Sequence, residues 1–556
     1  MHTRLSILLS AAVLVACQPE FPPIGDQLFS LMPNAATGLE FTNQLQYDKD
    51  FNVFNYRNYY NGGGIAVGDV NNDGWVDIYY TANQGPNKLF LNRGGWKFEE
   101  ASNAGVEGKQ AWSTGVTMAD VNADGWLDIY VCNAGDIAGS DRSNELFINR
   151  GDGTFKEEAE AYGVADKGLS THAVFFDYDG DQDLDLYVLN NSFRAIGSFN
   201  LERDLRTERD PEGGDKLYRN DGGRFHDVSA EAGILGSEIG FGLGATVGDI
   251  NGDGWLDLYI SNDFFEKDYV YINQQNGTFL ESGEALMAHT SFASMGADMA
   301  DINNDAHPDI FVTDMLPEPD KRLKQTTTFE NWATYSQKVK WGYHHQFNRN
   351  MLHLNNGDGS FSEIGEMAGT HATDWSWGAL IMDLDNDGYR DIYVSNGIER
   401  DLTDQDFINY ISNEQTMRSI VTKDGVNFKE LIDAMPSTRI PNYAFRNIMG
   451  EGGTFAKTTL LWGLEIPSHS NGAVYADLDN DGDLDLLVNN LNMEAFAFRN
   501  NAETLRSHNG WLQLTLKGEG GNTLAVGAQV FGYSQDGIHY AEQVPMKGFQ
   551  SSVDPR

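Results

Sequence analysis

Residues 69–80 read DVNNDGWVDIYY, and six further segments follow the same plan. They are DVNADGWLD from Asp120, DYDGDQDLD from Asp177, DINGDGWLD from Asp249, DINNDAHPD from Asp301, DLDNDGYRD from Asp383 and DLDNDGDLD from Asp477. Each nine-residue loop has oxygen-bearing side chains at positions 1, 3, 5 and 9, and it offers a backbone carbonyl at position 7. Calcium accepts several oxygen ligands in irregular geometry. The repeat therefore predicts up to seven Ca²⁺ sites.

The predicted ligands are five residues in each loop, of which the fourth contributes its carbonyl. They are Asp69, Asn71, Asp73, Trp75, Asp77; Asp120, Asn122, Asp124, Trp126, Asp128; Asp177, Asp179, Asp181, Asp183, Asp185; Asp249, Asn251, Asp253, Trp255, Asp257; Asp301, Asn303, Asp305, His307, Asp309; Asp383, Asp385, Asp387, Tyr389, Asp391; and Asp477, Asp479, Asp481, Asp483, Asp485. Gln182 and Ala306 replace the glycine that permits the turn at position 6. We therefore expect the loops at Asp177 and Asp301 to bind most weakly.

The residues after each loop distinguish between families of calcium loops. An EF-hand requires Glu at position 12 and a following helix, whereas these loops continue as DIYY, DIYV, DLYV, DLYI, DIFV, DIYV and DLLV. Such β-branched and aromatic runs predict strands. A strand precedes each loop, and segments such as NKLFLN and WKFEEASNAGV predict a third and a fourth strand. The fold class is therefore all-β, a seven-bladed propeller over residues 26–502.

The two ends of this region predict how the ring closes. The seventh repeat stops after its third strand at AFAFRN, and an unmatched fourth-strand segment, LFSLMPNAATGLEF, lies at residues 28–41. We expect the N-terminal segment to complete the last blade, because that arrangement leaves no exposed sheet edge.

These loops and strands resemble the FG-GAP/VCBS repeats of integrin α-subunit propellers, and the chain is similar to bacterial relatives of cartilage acidic protein. The stretch NGWLQLTLKGEGGNTLAVGAQVFGYSQDGIHYAEQV, which begins at Asn509, resembles the first half of an ASPIC/UnbV domain. The resemblance implies a small β domain at residues 506–556, and we expect that domain to be incomplete at Arg556.

The N-terminus, MHTRLSILLSAAVLVAC, has a basic start, a short apolar run and small residues before Cys17. This pattern predicts a lipoprotein signal peptide over residues 1–17, with Cys17 lipidated; an ordinary signal peptide is the alternative. We expect a protein of the bacterial outer envelope that contacts the membrane only through a lipid anchor.

The charge and the motifs limit the function. The chain has 82 Asp and Glu against 38 Lys and Arg, a net charge of −44, which excludes a nucleic-acid backbone as partner. No nucleophile, P-loop or HExxH motif is present, so no catalytic residue is assigned. The sequence therefore favours a binding or scaffolding role, with a glycan or an envelope protein as partner. The alternative is a polysaccharide lyase or hydrolase with a His/Asp site at the mouth of the channel.

Three long insertions follow second strands, at residues 190–214, 313–349 and 397–441. They therefore decorate the face opposite the calcium turns, and loops on a rigid scaffold often carry ligand contacts. The candidate contacts on this face are Trp112, His172, His289, Trp332, Trp341, Trp375 and Trp377.

Overall fold

The computed structural model describes residues 25–109, 112–135, 141–194, 205–414, 420–422, 425–534 and 537–556. Cys17 and the predicted signal peptide lie outside this range. Seven four-stranded antiparallel sheets form the blades of a propeller, as the sequence predicts.

Each blade runs from an inner first strand to an outer fourth strand, in consecutive order. The strands of the first six blades are Ile65–Gly68, Asp77–Tyr80, Lys88–Asn92, Phe98–Glu100; Ser113–Ala119, Asp128–Asn133, Glu145–Asn149, Phe155–Glu157; Leu169–Phe176, Asp185–Asn191, Lys216–Asn220, Phe225–Asp227; Gly242–Gly248, Asp257–Asn262, Tyr269–Asn273, Phe279–Glu281; Ala297–Ala300, Asp309–Val312, Met351–Asn355, Phe361–Glu363; and Ser376–Met382, Asp391–Asn396, Tyr443–Asn447, Phe455–Lys457.

The seventh blade is built from both ends of the propeller. Ser470–Ala476, Asp485–Asn490 and Phe496–Asn500 supply three strands, and Phe29–Leu31 pairs antiparallel with Phe496–Asn500 as the fourth. The N-terminal segment therefore closes the ring, as predicted from the unmatched repeat.

The remaining elements are short. Two-stranded pairings join Thr290–Ser291 to Gln346–Phe347, Val421–Thr422 to Gly425–Val426, Ile440–Pro441 to Pro467–Ser468, and Gln529–Tyr533 to Ile538–Glu542. The α-helices are Asn34–Thr37, Ala159–Tyr162, Gly283–Leu286, Asp320–Thr326, Trp332–Lys340, Gly365–Ala368, Gln405–Ser412, Phe428–Ala434 and Ala502–Leu505; the 3₁₀ turns are Arg57–Tyr60, Leu205–Thr207 and Met449–Glu451. No helix among these described residues has the length and apolar character to cross a bilayer.

Apolar side chains pack between neighbouring blades because each strand presents one face to the adjacent sheet. The inner strands are almost entirely buried: Ser113–Ala119 and Leu169–Phe176 have no exposed residue. A separate aromatic cluster lies at the axis, where Tyr59, Trp112 and Trp377 pack with Phe549. The ring therefore has a filled centre rather than an open channel.

The tail packs on the propeller through its described residues. Its described residues from 506 onward contain one two-stranded sheet, and its buried side chains Val526, Val544 and Met546 join a hydrophobic cluster of the propeller. These side chains therefore bury apolar surface against the propeller. The small β domain that the resemblance implies stays a prediction.

Residues 545–553, which we call the plug segment, enter the axis of the ring. Ser552 N donates to Ile65 O at 3.0 Å, and Val116 N donates to Gln550 O at 3.0 Å. A Cβ atom at Gly64 would lie 1.7 Å from the Gln550 carbonyl oxygen, so only glycine fits there. The small residues of the inner strands thus accommodate this segment as well as one another.

Candidate functional site

The acidic side chains shape each loop before any cation is considered. In the first loop, Asp69 Oδ1 accepts from Asp73 N at 3.0 Å, and Asp69 Oδ2 accepts from Gly74 N at 2.8 Å. These bonds fold the loop around the first carboxylate. The sequence thus encodes the turn through its own side chains.

The aspartate at position 9 connects the loop to the sheet in all seven blades. Asp77 Oδ2 accepts from Val70 N, and Asp77 Oδ1 accepts from Asn92 N. The corresponding distances are 2.9–3.1 Å for Oδ2 and 2.7–2.8 Å for Oδ1 around the ring. Each carboxylate therefore holds the first turn and the third strand of its blade together.

A residue that the loop pattern did not predict lies at the end of each third strand. Every one of these strands ends in asparagine, and in six of the seven blades its Nδ2 donates to a loop carbonyl of the preceding blade at 2.7–2.9 Å. The repeated final Asn in KLFLN, ELFIN and FAFRN was the available signal. These asparagines link neighbouring blades.

Three loops bring carboxylates together without a complete set of hydrogen-bond donors. Positions 1, 3 and 9 of the third, sixth and seventh loops each offer an oxygen within 4.8 Å of the other two. The position 3 oxygens Asp179 Oδ1, Asp385 Oδ1 and Asp479 Oδ1 are buried and have no hydrogen-bond partner. A purely oxygen donor set with unpartnered buried carboxylate oxygens fits a hard cation such as calcium.

Burial also changes the acidity of these groups. It raises the pKa of Asp77 and Asp128 to about 7, of Asp257 to about 8 and of Asp185 to about 9, because the charged form loses its solvation. A divalent cation beside such carboxylates would favour the charged form. The donor set is therefore suited to a bound cation.

The two loops that lack glycine nevertheless keep the turn. Gln182 has a φ of 72° and Ala306 a φ of 67°, close to the 86–94° of Gly125, Gly388 and Gly482 at the same position. The substitutions therefore place a side chain in the left-handed region instead of reshaping the loop. The weaker binding expected for these loops stays a prediction, and the third loop has one of the three carboxylate clusters.

The sixth loop also contains a cationic side chain that the sequence analysis did not assign. Arg446 Nε donates to Asp385 Oδ2 at 3.0 Å, and its Nη2 donates to Asp387 Oδ2 at 2.8 Å. This guanidinium compensates part of the negative charge at positions 3 and 5 of that loop.

The sequence matches the family described as FG-GAP-like repeat over residues 53–131, 136–188, 207–260, 249–312 and 341–394. These matches cover more than half of the chain. The chain belongs to the FG-GAP-like repeat family.

Curated relatives of this FG-GAP propeller include cartilage acidic protein 1. The human protein is 31% identical over 205 residues, which are 37% of this chain and 28% of that protein. The Xenopus tropicalis protein is 31% identical over 207 residues, 37% of this chain and 29% of the relative. The chain thus matches less than a third of the length of these relatives. The crystal structure of the V. cholerae biofilm matrix protein Bap1 is similar at 11% identity with a TM-score of 0.38, over 93% of this chain and 99% of that one.

Three of the predicted ligand contacts are core residues of the FG-GAP propeller. Trp112, His172 and Trp377 are at most 2% exposed. Phe51 and Tyr59 pack on Trp112, with ring centroids 4.9 and 5.2 Å away. The aromatic segment before the first blade thus covers Trp112. Contrary to the expectation from the sequence, none of these three buried side chains is accessible to a ligand.

The plug segment accounts for the other two buried contacts. His172 Nε2 lies 3.1 Å from the Ser551 carbonyl oxygen, and the Trp377 ring packs on Phe549 at 5.3 Å. Burial lowers the pKa of His172 to about 4, so its imidazole is neutral at pH 7. This histidine holds the plug segment rather than a ligand.

Two of the remaining candidates are partly enclosed. His289 Nε2 lies 3.4 Å from Glu363 Oε2 and 3.3 Å from Arg349 Nη2, within a surface ion network. Trp375 is partly buried and stacks at a tilt on Trp377, at 6.1 Å. Neither is presented as an open contact.

The second insertion forms an aromatic cleft that contains Trp332. The cleft measures about 630 Å³ and is lined by Phe292, Thr328, Phe329, Glu330, Trp332, Tyr335, Gln346, Phe347 and Asn348. Trp332 is 77% exposed and Phe329 is 72% exposed. Trp332 begins the helix Trp332–Lys340, Phe329 precedes that helix, and the partly exposed Trp341 caps its C-terminal end.

A buried cation fixes the floor of this cleft. Lys338 is 1% exposed, its Nζ lies 4.2 Å from the centroid of the Phe292 ring, and it pairs with Glu330 Oε2 at 3.2 Å. The same Nζ donates to Gln346 Oε1 at 3.2 Å. These contacts hold the helix against the strand pair beneath it, so the cleft is preformed.

The tail covers the opposite face, where the acidic loops lie. Thr523 Oγ1 donates to Asp120 Oδ2 at 2.6 Å, and Gln529 Nε2 donates to Asp249 Oδ2 at 2.8 Å. The indole of Trp511 lies against Gly482. The tail therefore occupies surface that a partner would need on that face.

Proposed function

We propose that this FG-GAP propeller is a calcium-stabilised binding module that takes a glycan into the aromatic cleft of its second insertion. The cleft around Trp332 is the observation that carries the proposal. Exposed aromatic rings beside polar side chains suit the two surfaces of a sugar ring, because apolar CH groups stack on the rings while hydroxyl groups find hydrogen-bond partners.

The arrangement of the two faces supports this proposal. The tail lies on the acidic loops, whereas the cleft is open, with Trp332 and Phe329 mostly exposed. Exposed large rings are costly in water unless a partner covers them. An apolar loop of an envelope protein would also pack on these rings. The binding test below distinguishes such a protein partner from a glycan.

An enzyme at the mouth of the channel has less support. His172 is fully buried against the plug segment, and burial lowers its pKa to about 4. A general base needs access to its substrate and a pKa near the working pH. The described residues around the axis are packed as a core.

We also propose that the protein is lipid-anchored at Cys17 in the bacterial outer envelope, on the basis of the Leu14–Cys17 lipobox pattern. Intact-mass analysis of protein purified from its native membrane tests this. A mature chain that starts at an acylated Cys17 supports the anchor, and a chain that retains Ala16 contradicts it.

The test of the binding role uses the full chain in calcium on a panel of immobilised polysaccharides. We expect Trp332→Ala to weaken binding at least tenfold, about 1.4 kcal/mol. Tyr533→Ala is the matched control, since Tyr533 is 78% exposed but lies on the tail. The assignment is contradicted if the Trp332 variant binds polysaccharide as well as the unmodified protein does, or if the Tyr533 variant loses binding. If the chain binds only envelope proteins, its partner is a protein and not a glycan.

A further inference from the structure

The side chain at position 7 of the loops reaches the turn that follows the third strand. In the first and second blades this side chain is a tryptophan: the Trp75 ring lies against Gly94, and the Trp126 ring lies against Gly151. In the seventh blade the ring is replaced by Asp483, and the turn carries Glu503 in the helix Ala502–Leu505. Blade seven therefore has acids both at position 7 and in the turn, where blades one and two pack a tryptophan ring on glycine.

These two acids meet a third. Asp481, Asp483 and Glu503 each offer a carboxylate oxygen, and the three oxygens lie within 4.8 Å of one another. This group is distinct from Asp477, Asp479 and Asp485, which converge at positions 1, 3 and 9 of the same loop. Blade seven thus contains two adjoining carboxylate triads.

The second triad contains a buried carboxylate oxygen without a partner. Asp483 is 0% exposed; its Oδ2 accepts from Glu503 N at 3.0 Å, while its Oδ1 has no hydrogen-bond partner. Glu503 Oε2 is buried and unpartnered as well. Among the ion pairs of the described residues, none includes Asp481, Asp483 or Glu503. Three carboxylates this close need a compensating positive charge, from a cation or from bound protons.

We propose that Asp481, Asp483 and Glu503 hold a second divalent cation in blade seven, beside the one that the repeat predicts. The donors are all carboxylate oxygens, which selects a hard cation such as Ca²⁺ over metals that prefer nitrogen or sulfur. Asp481 lies at position 5 of the loop and is shared between the two ions. Two divalent ions would offset four of the six carboxylate charges.

Blade three shows why this site is confined to blade seven. Its loop also has acids at positions 5 and 7, Asp181 and Asp183. Its third strand ends at Asn220, and the residue three positions later is Gly223. The equivalent residue in blade seven, three positions after Asn500, is Glu503. The third carboxylate is therefore missing, and blade three holds one cation.

The test counts calcium bound to the full chain, by elemental analysis after gel filtration in calcium and by titration calorimetry with CaCl₂. We expect the Glu503→Gln variant to bind one Ca²⁺ fewer per chain than the unmodified protein. The double variant, Asp483→Asn with Glu503→Gln, should also bind one Ca²⁺ fewer and no less than that. Asp152→Asn is the matched control, because Asp152 occupies the same turn position in blade two, three residues after the final asparagine of the third strand. It should leave the count unchanged.

Circular dichroism establishes that each variant is folded before its calcium is counted. An unchanged count in Glu503→Gln overturns the second site, as does a calcium-soaked crystal whose anomalous density shows no ion between Asp483 and Glu503. The inference rests on the cation binding in the proposed function, and the test distinguishes the two claims. A chain that binds no calcium contradicts both the calcium-stabilised propeller and the second site. A chain that binds the same amount of calcium with and without the Glu503 carboxylate contradicts only the second site.

Discussion

Asn92 Nδ2 donates to the Leu478 carbonyl oxygen at 2.8 Å and so connects the first blade to the last. The same amide donates to Val76 O at 3.1 Å in its own blade. This side chain, together with the strand Phe29–Leu31, joins the two ends of the propeller. Ring closure therefore depends on a few buried polar contacts as well as on strand pairing.

Replacing Asn92 by Ala should destabilise the fold by about 1–3 kcal/mol, because two buried carbonyls lose their donor. Urea unfolding measures the change. Asn356→Ala is the control, since Asn356 is exposed and its side chain bonds only within its own hairpin, to Ser360 and Ser362. Equal stability of the two variants would show that the contact to Leu478 does not hold the ring.

Phe549→Ala should cost about 3–5 kcal/mol, the usual effect of removing a buried aromatic ring. Phe549 is 0% exposed, and its ring packs on Trp377 at the axis. Thermal unfolding checks this, with Phe531→Ala, on the half-exposed tail hairpin, as control. If the two variants melt alike, the plug segment is not part of the stable core.

The repeat predicted the blades, the acidic turns and the closing strand because these depend on local patterns. Alternation of apolar residues sets the strands, and Asp and Gly at fixed spacing set the turns. Equivalent side chains in such a repeat meet similar neighbours in most blades. The architecture could therefore be worked out from the chain one repeat at a time.

The filled axis could not be predicted in this way. Trp112 and His172 lie where an open propeller would present them to a ligand, but segments far away in the chain cover them: Phe51 packs on Trp112, and Ser551 lies against His172. Such long-range packing leaves no periodic signal. Trp332, by contrast, is exposed on its own insertion, and its role as a ligand contact stays a prediction.

Gln182→Gly should stabilise the protein by up to about 1 kcal/mol. Gln182 has a φ of 72°, in the left-handed region, where a residue with a Cβ atom is strained. The free-energy cost of this strain exceeds the cost of the extra chain entropy that glycine loses on folding. Gln182→Ala is the control, because it removes the side chain but keeps the penalty. Urea unfolding should give the Gly variant the largest free energy of unfolding. If the Gly variant is no more stable than the Ala variant, Gln182 is not strained.

Scanning calorimetry of the full chain, with excess calcium and then with chelator, tests most directly whether cations hold the ring. The buried aspartates of the third, sixth and seventh loops repel one another without a cation, and each loop occupied at 100 times its dissociation constant adds about 2.7 kcal/mol. We expect chelation to lower the melting temperature by more than about 10 °C and calcium to restore it. A melting curve that is the same in calcium and in chelator would contradict a calcium-stabilised propeller.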